Sequence, residues 1–113
     1  MNRSIRLKLK SLLLLPGLIL SVPVYSDSNI STSRQQDLRN LLIQDCGSCH
    51  GLKMKGGLGP PLQPADLASM SIEAISTIIL YGRPSTPMPA WNPLLSPADA
   101  KWLATQLLQG VPQ

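Results

Sequence analysis

Cys46, Cys49 and His50 stand within DCGSCHG, residues 45–51, and they are the only two cysteines and the only histidine of the 113-residue chain. Two thiols and one imidazole at this spacing suit three kinds of chemistry: a dithiol–disulfide redox centre, a metal site, or covalent attachment of haem. A thioredoxin-like redox centre places its CxxC at a helix start inside alternating strands and helices. No such alternation runs along this sequence. A structural zinc site takes four protein ligands, and at most three of the preferred kind stand here side by side. Haem attachment fits better. CxxCH spaces two thiols to reach both vinyl groups and aims the adjacent imidazole at the iron. One covalently bound haem c is therefore the expected cofactor, held by Cys46 and Cys49, with His50 as an iron ligand.

The sixth iron position cannot be a second histidine. It falls to Met54, Met70, Met88, a lysine or an open site. Met54 follows His50 by four residues, too near to cross to the other haem face unless the chain bends around the macrocycle edge. Met70 stands just before a helix start, where a methionine ordinarily serves as flexible core filler. Met88 lies in TPMPAW, residues 86–91, between Pro87 and Pro89. Proline on both sides fixes the backbone and removes competing N–H donors, which suits a side chain held at a set distance. Met88 is the expected distal ligand. Histidine and methionine together raise the reduction potential and leave no site for small ligands, which favours electron transfer over oxygen chemistry.

The segments that must position these residues begin after a targeting signal. Arg3, Arg6, Lys8 and Lys10 precede an apolar run, Leu12–Leu20, and Val24 and Ser26 suit the small-residue positions before a signal-peptidase cut. Residues 1–26 thus read as a cleaved secretory signal and 27–113 as one mono-haem domain exported to the periplasm. The apolar run is broken by Pro16 and Gly17 and is far shorter than the roughly 20 residues of a membrane span, so no stable membrane insertion is expected. The chain has ten lysines and arginines against six acidic residues; four of the basic ones precede residue 27, leaving six of each sign beyond it. The basic balance belongs to the signal. No basic cluster with interleaved aromatics remains to suggest nucleic acid, and a monomer is expected.

The fold class reads as all-α, about three helices with long loops wrapped around the haem. Leu38, Leu41, Leu42 and Cys46 recur at helical spacing between Arg34 and Asp45, with Ser33 as the N-cap and residues 27–33 as a flexible lead. Gly47 and Gly51 punctuate the motif, and residues 51–66, rich in glycine and proline, read as loop. Ser71 caps a second helix, Ile72–Tyr81, which Gly82 ends. Ser96 followed by Pro97 starts the last helix, which runs to Gln109 and stops at Gly110. Few aromatics and one possible two-residue disulfide loop leave little to hold so small a core. A large apolar cofactor would fill and hold it.

The order CxxCH at 46–50, Gly59-Pro60-Pro61-Leu62, Tyr81-Gly82-Arg83, Met88-Pro89-Ala90-Trp91 and a closing helix resembles the small class I c-type cytochromes across residues 27–113. More narrowly, ILYGRPSTPMPAW and the SPADAKWLATQLL ending resemble the short NirC-like cytochromes encoded with the haem-c/haem-d nitrite reductase of denitrifying bacteria. By position, the resemblance implies thioethers at Cys46 and Cys49, His50 as proximal and Met88 as distal ligand. It also implies that the Pro60 carbonyl accepts the imidazole N–H, which orients the ring and raises its basicity, and that Leu62 packs on the haem. The family's aromatic pair at the crossing of first and last helices is missing: only Leu38, Leu41 and Leu42 stand ready to meet Trp102.

The resemblance implies a periplasmic carrier of single electrons, not an enzyme. Its redox partner proteins would include nitrite reductase or the maturation of that enzyme's special haem. A haem-binding assembly factor without electron flux, and an open-site haem enzyme, are the alternatives. Lys53 and Lys55 either steer an acidic partner patch or are simply solvated. Arg83 either neutralises a haem propionate or is an ordinary surface arginine.

Overall fold

Serine hydroxyls start three of the helices. In the computed structural model, which describes residues 30–111, Ser31 Oγ accepts from the Arg34 amide at 3.3 Å, Ser71 Oγ from Ala74 at 3.1 Å and Ser96 Oγ from Asp99 at 3.1 Å. Each satisfies an amide that the first helical turn leaves without a partner. Ser71 and Ser96 are the caps expected. The first cap is Ser31, not Ser33; Ser33 lies inside the helix, so the end of the supposed flexible lead is helical. The signal segment, residues 1–26, lies outside the described residues.

The elements run α1 (Thr32–Leu41), a π-helical stretch (Leu42–Cys46), α2 (Gly47–His50), α3 (Pro64–Leu67), α4 (Ile72–Tyr81) and α5 (Pro97–Gln109). All regular structure among the described residues is helical, which agrees with the all-α expectation. Gly47 does not punctuate. Leu41, Leu42, Cys46 and Gly47 all keep right-handed helical angles, so residues 32–50 form one unbroken rod. Within it the Gly47 amide reaches back five residues to the Leu42 carbonyl, which widens the turn just before the haem motif. Gly51, at φ +86°, ends the rod. A non-glycine residue there would be strained, and its Cβ would stand 2.7 Å from the Gly56 carbonyl oxygen.

The reading of 51–66 as loop missed α3. Its start, Gln63-Pro-Ala-Asp66, copies the design of Ser96-Pro-Ala-Asp99. In both, proline occupies the first turn and the aspartate carboxylate accepts from the capping residue's amide, at 3.0 Å for Asp66 and 2.9 Å for Asp99.

One buried cluster joins the helices: Leu38 and Leu42 from the first rod, Ile75, Ile79 and Leu80 from α4, and Ala100, Leu103, Ala104 and Leu107 from α5. Apolar residues at spacings of three and four give α4 and α5 the stripe that pairs them. The crossing of α1 with α5 is leucine against a face that includes two alanines. Trp102 lies beside it, half-buried, with the Arg39 guanidinium 5.6 Å from its ring centroid. A paired side-chain bridge closes the same crossing. Arg34 donates from Nε to Asp99 Oδ1 at 3.1 Å and from Nη2 to Oδ2 at 2.9 Å. The bond from Arg34 holds the Asp99 carboxyl below its ordinary range, and the Ser96 contacts add to this against the cost of burial. Among the described residues, no helix is long and apolar enough to cross a membrane.

Candidate haem-binding site

The widened π turn leads into α2, which carries the motif. Cys46 is half-buried, Cys49 is exposed, and both are free thiols. Burial pushes the Cys46 thiol up to about 11, with the neighbouring Asp45 charge adding to the effect. Among the described residues, no three or more His, Cys, Asp or Glu side chains are grouped to hold a metal ion. A protein-only metal site therefore has no ligand set among the described residues.

His50 is set by the loop that follows it. Its Nδ1 donates to the Pro60 carbonyl at 2.7 Å. A carbonyl oxygen can only accept, so the ring proton sits on Nδ1 and the Nε2 lone pair is left available to a metal. Gly59 makes the approach possible: a Cβ there would lie 2.8 Å from both Cε1 and Nδ1 of the ring. The loop is tied to the helix end it leaves, with Gly56 donating to the His50 carbonyl at 2.7 Å and Gly59 to the Cys49 carbonyl at 2.8 Å. These bonds satisfy carbonyls that α2 leaves open. The loop then passes Leu62, whose amide donates to the Met54 carbonyl at 2.9 Å.

A second loop, residues 82–92, hangs from the end of α4. Gly82 turns it at φ +71°; a Cβ there would lie 2.7 Å from the Met88 carbonyl oxygen. The returning strand of the loop is fastened where Trp91 donates to the Ile79 and Leu80 carbonyls at 3.2 and 3.1 Å and Asn92 to Leu80 at 3.0 Å. Between the two loops opens a cavity of about 780 Å³, within the usual range for a bound organic cofactor.

Cys46, Cys49, His50, Pro60, Leu62 and Met88 all line this cavity. Met70 lines it too, but also packs against the buried core, which Met88 does not. Met54 is fully buried in the core at 1% exposure and is not part of the cavity wall. Arg83 is on the wall and is in no ion pair among the described residues. Lys53 and Lys55 are not; they border a separate hollow of about 240 Å³ with Gln63 and Gly110. Sequence reasoning did not single out the apolar wall supplied by Leu42, Ile75, Ile79, Leu103 and Leu107. Helical periodicity marks these as inward-facing, but core and cavity positions share one stripe. It also passed over Asp45, Asp66 and Thr86 at the wall. The residues present fit haem c: two free thiols, an imidazole with an open Nε2, a thioether and apolar walls share one cavity.

The family described as "Cytochrome C oxidase, cbb3-type, subunit III" matches residues 33–105. Cytochrome c55X of Pseudomonas aeruginosa is 49% identical over 79% of this chain and 75% of its own length. That of Paracoccus denitrificans is 54% identical over 68% of this chain and 75% of its own. Among solved structures, "c-type cytochrome NirC" superposes with a TM-score of 0.69 at 51% identity, covering 71% of this chain and 94% of that one. A larger protein also matches. "Dihydro-heme d1 dehydrogenase NirN in complex with DHE" gives a TM-score of 0.59 at 37% identity over 65% of this chain and 16% of that one.

Proposed function

The chain belongs to the c-type cytochromes of the cytochrome c55X kind, and from that premise we propose that it is a periplasmic mono-haem carrier of single electrons. Haem c, when bound, supplies a one-electron ferric–ferrous couple. Cys46 and Cys49 would hold it by thioether bonds, and His50, oriented by the Pro60 carbonyl, would offer Nε2 to the iron. Met88 provides a neutral, soft distal thioether that favours ferrous iron and keeps the potential high. Leu62 and the walls of α4 and α5 exclude water from the ring. Export to the periplasm is supported by the basic start and apolar run of residues 1–26.

The observation that carries this reading is the His50–Pro60 bond of 2.7 Å, because it leaves Nε2 free on the wall of a cavity that Met88 also lines. An oxidised-state absorption spectrum of the holo-protein tests it. The weak near-infrared band of methionine–iron bonding is expected, with no carbon monoxide binding at neutral pH. Free binding of carbon monoxide would mean an open site and defeat the carrier reading.

The partner is nitrite reductase or the pathway that matures its special haem. The likeness to one part of a dihydro-haem d1 dehydrogenase favours the second. A dehydrogenase must pass electrons on, and a small cytochrome is a suitable acceptor. Stopped-flow mixing of the oxidised protein with such a dehydrogenase, and of the reduced protein with nitrite reductase, separates the two. An assembly factor without electron flux would exchange with neither.

A further inference from the structure

From the hydrogen bonds of the Met88 loop we infer that Thr86 is a positioning residue, whose hydroxyl clasps the loop and sets how firmly Met88 is held at its post. The inference rests on the reading of Met88 as the distal ligand. Three of the residues from 83 to 90 are prolines, at 84, 87 and 89, so the loop has few amide donors with which to close itself. Thr86 makes up for this from its side chain. Its Oγ1 donates to the Arg83 carbonyl at 2.7 Å and accepts from the Met88 amide at 3.4 Å. One hydroxyl therefore links the entry of the loop to the methionine, closely at Arg83 and more loosely at Met88. A hydroxyl has one donor and two acceptor sites, so both bonds can form together.

The rest of the loop shows why a clasp is needed. The Arg83 amide reaches the Met88 carbonyl only at 3.5 Å, beyond the usual N–H···O range, and the Thr86 amide reaches Arg83 at 3.2 Å, at its upper end. Ser85 is held at φ +62°, a conformation that costs a non-glycine residue free energy and persists only where neighbouring contacts impose it. The strongest bond within residues 83–88, by length, is the one that Thr86 Oγ1 donates. Thr86 is exposed and lies outside the buried core, so its replacement leaves the fold intact.

The test uses ferric holo-protein, with imidazole as a competing ligand for the distal position. Thr86→Val keeps the shape and removes both hydroxyl bonds; Thr86→Ser keeps the hydroxyl. Imidazole is expected to bind about fivefold more tightly to Thr86→Val, the effect of losing about one net hydrogen bond from the methionine-bound state. Thr86→Ser should stay close to wild type, a rescue that a merely structural role for the methyl group would not give. Val behaving as wild type, or Ser behaving as Val, overturns the clasp. The wild-type near-infrared band keeps the two readings apart. With the band present, those outcomes remove only the clasp; with the band absent, the Met88 assignment falls and takes the clasp with it.

Discussion

The two loops that face the cavity are built on opposite plans. The His50 side, residues 50–62, is tied by backbone bonds of 2.7 and 2.8 Å to the very helix that carries the motif, and its closest approach depends on Gly59 having no side chain. The Met88 side is fastened at its return by Trp91 and Asn92 at 3.0–3.2 Å. Between Arg83 and Met88, though, it is closed by one short hydroxyl bond of 2.7 Å and longer bonds of 3.2, 3.4 and 3.5 Å, and residues 83–90 include three prolines. The first plan fixes a ring in one tautomer and one orientation. The second restricts the unfolded loop through proline but leaves the folded loop held by few contacts. If His50 and Met88 are the iron ligands proposed above, adjustment of the site falls more to the methionine than to the imidazole.

The comparison can be broken most completely from the covalent side. Cys46→Ala with Cys49→Ala should abolish haem staining on denaturing gels and most accumulation of folded protein, since so small a core loses its largest apolar component. A stained band from the double variant would refute covalent attachment. Next in size is Met88→Ala, which should keep the haem while losing the near-infrared band, lowering the potential and admitting carbon monoxide. Met70→Ala should leave the band in place. Met54→Ala should also keep it, while costing about 2–5 kcal/mol of unfolding free energy in a denaturant titration, as a buried methionine does.

On the rigid side, Gly59→Ala forces a methyl group to within 2.8 Å of the His50 ring. Overpacking of this kind costs about 1–3 kcal/mol, and the imidazole or the Pro60 carbonyl must move. The expected outcome is lower stability together with a shifted potential, whereas Gly57→Ala, whose Cβ would meet the Cys49 carbonyl oxygen at 2.8 Å but not the ring, should also cost stability and shift the potential less. Equal potentials for Gly59→Ala and wild type would show that the proximal face is not rigid.

The smallest effect expected is far from both loops, at Arg34–Asp99. The Asp99 carboxyl titrates below its ordinary value of 3.8 in the folded protein. Its contribution is therefore complete above that value and is lost as pH falls through the lower, folded one. Thermal unfolding followed from pH 6 down to about pH 3, across the ordinary carboxyl range, should show a shallower decline for Asp99→Asn than for wild type. Parallel curves would mean that the pair adds nothing pH-dependent.

Much of the architecture was legible because its signals are local. Ser71 and Ser96 act within one helical turn, and Gly82 and Gly110 stop helices whose apolar spacing had already located them. Ser33 is a cap candidate by residue type, but Ser31 is another serine near the same start, and neighbouring residues alone do not say which hydroxyl will face the first free amide. α3 was legible in principle, since Gln63-Pro-Ala-Asp66 repeats the pattern at Ser96, but glycine and proline upstream hid so short a helix. Gly47 reads as a breaker from its propensity, a cost of about 1 kcal/mol; in the structure its amide is bonded to the Leu42 carbonyl and it stays helical.

By itself, the sequence determined the chemistry on offer: two thiols and an imidazole in one CxxCH, a methionine between prolines, and helices long and apolar enough to enclose a cofactor. These follow from residue type and from spacing of a few positions. Tertiary structure decided which groups meet. Met54 and Met88 are equally plain methionines in the sequence. One is folded into the core by a loop that returns at Leu62, and the other is carried to the cavity by a loop that returns at Trp91. That the Pro60 carbonyl reaches His50 Nδ1, and that the Thr86 hydroxyl reaches both ends of its loop, depends on where the backbone turns. Such turns are chosen by the packing of the whole chain, because no local preference is strong enough to choose them alone.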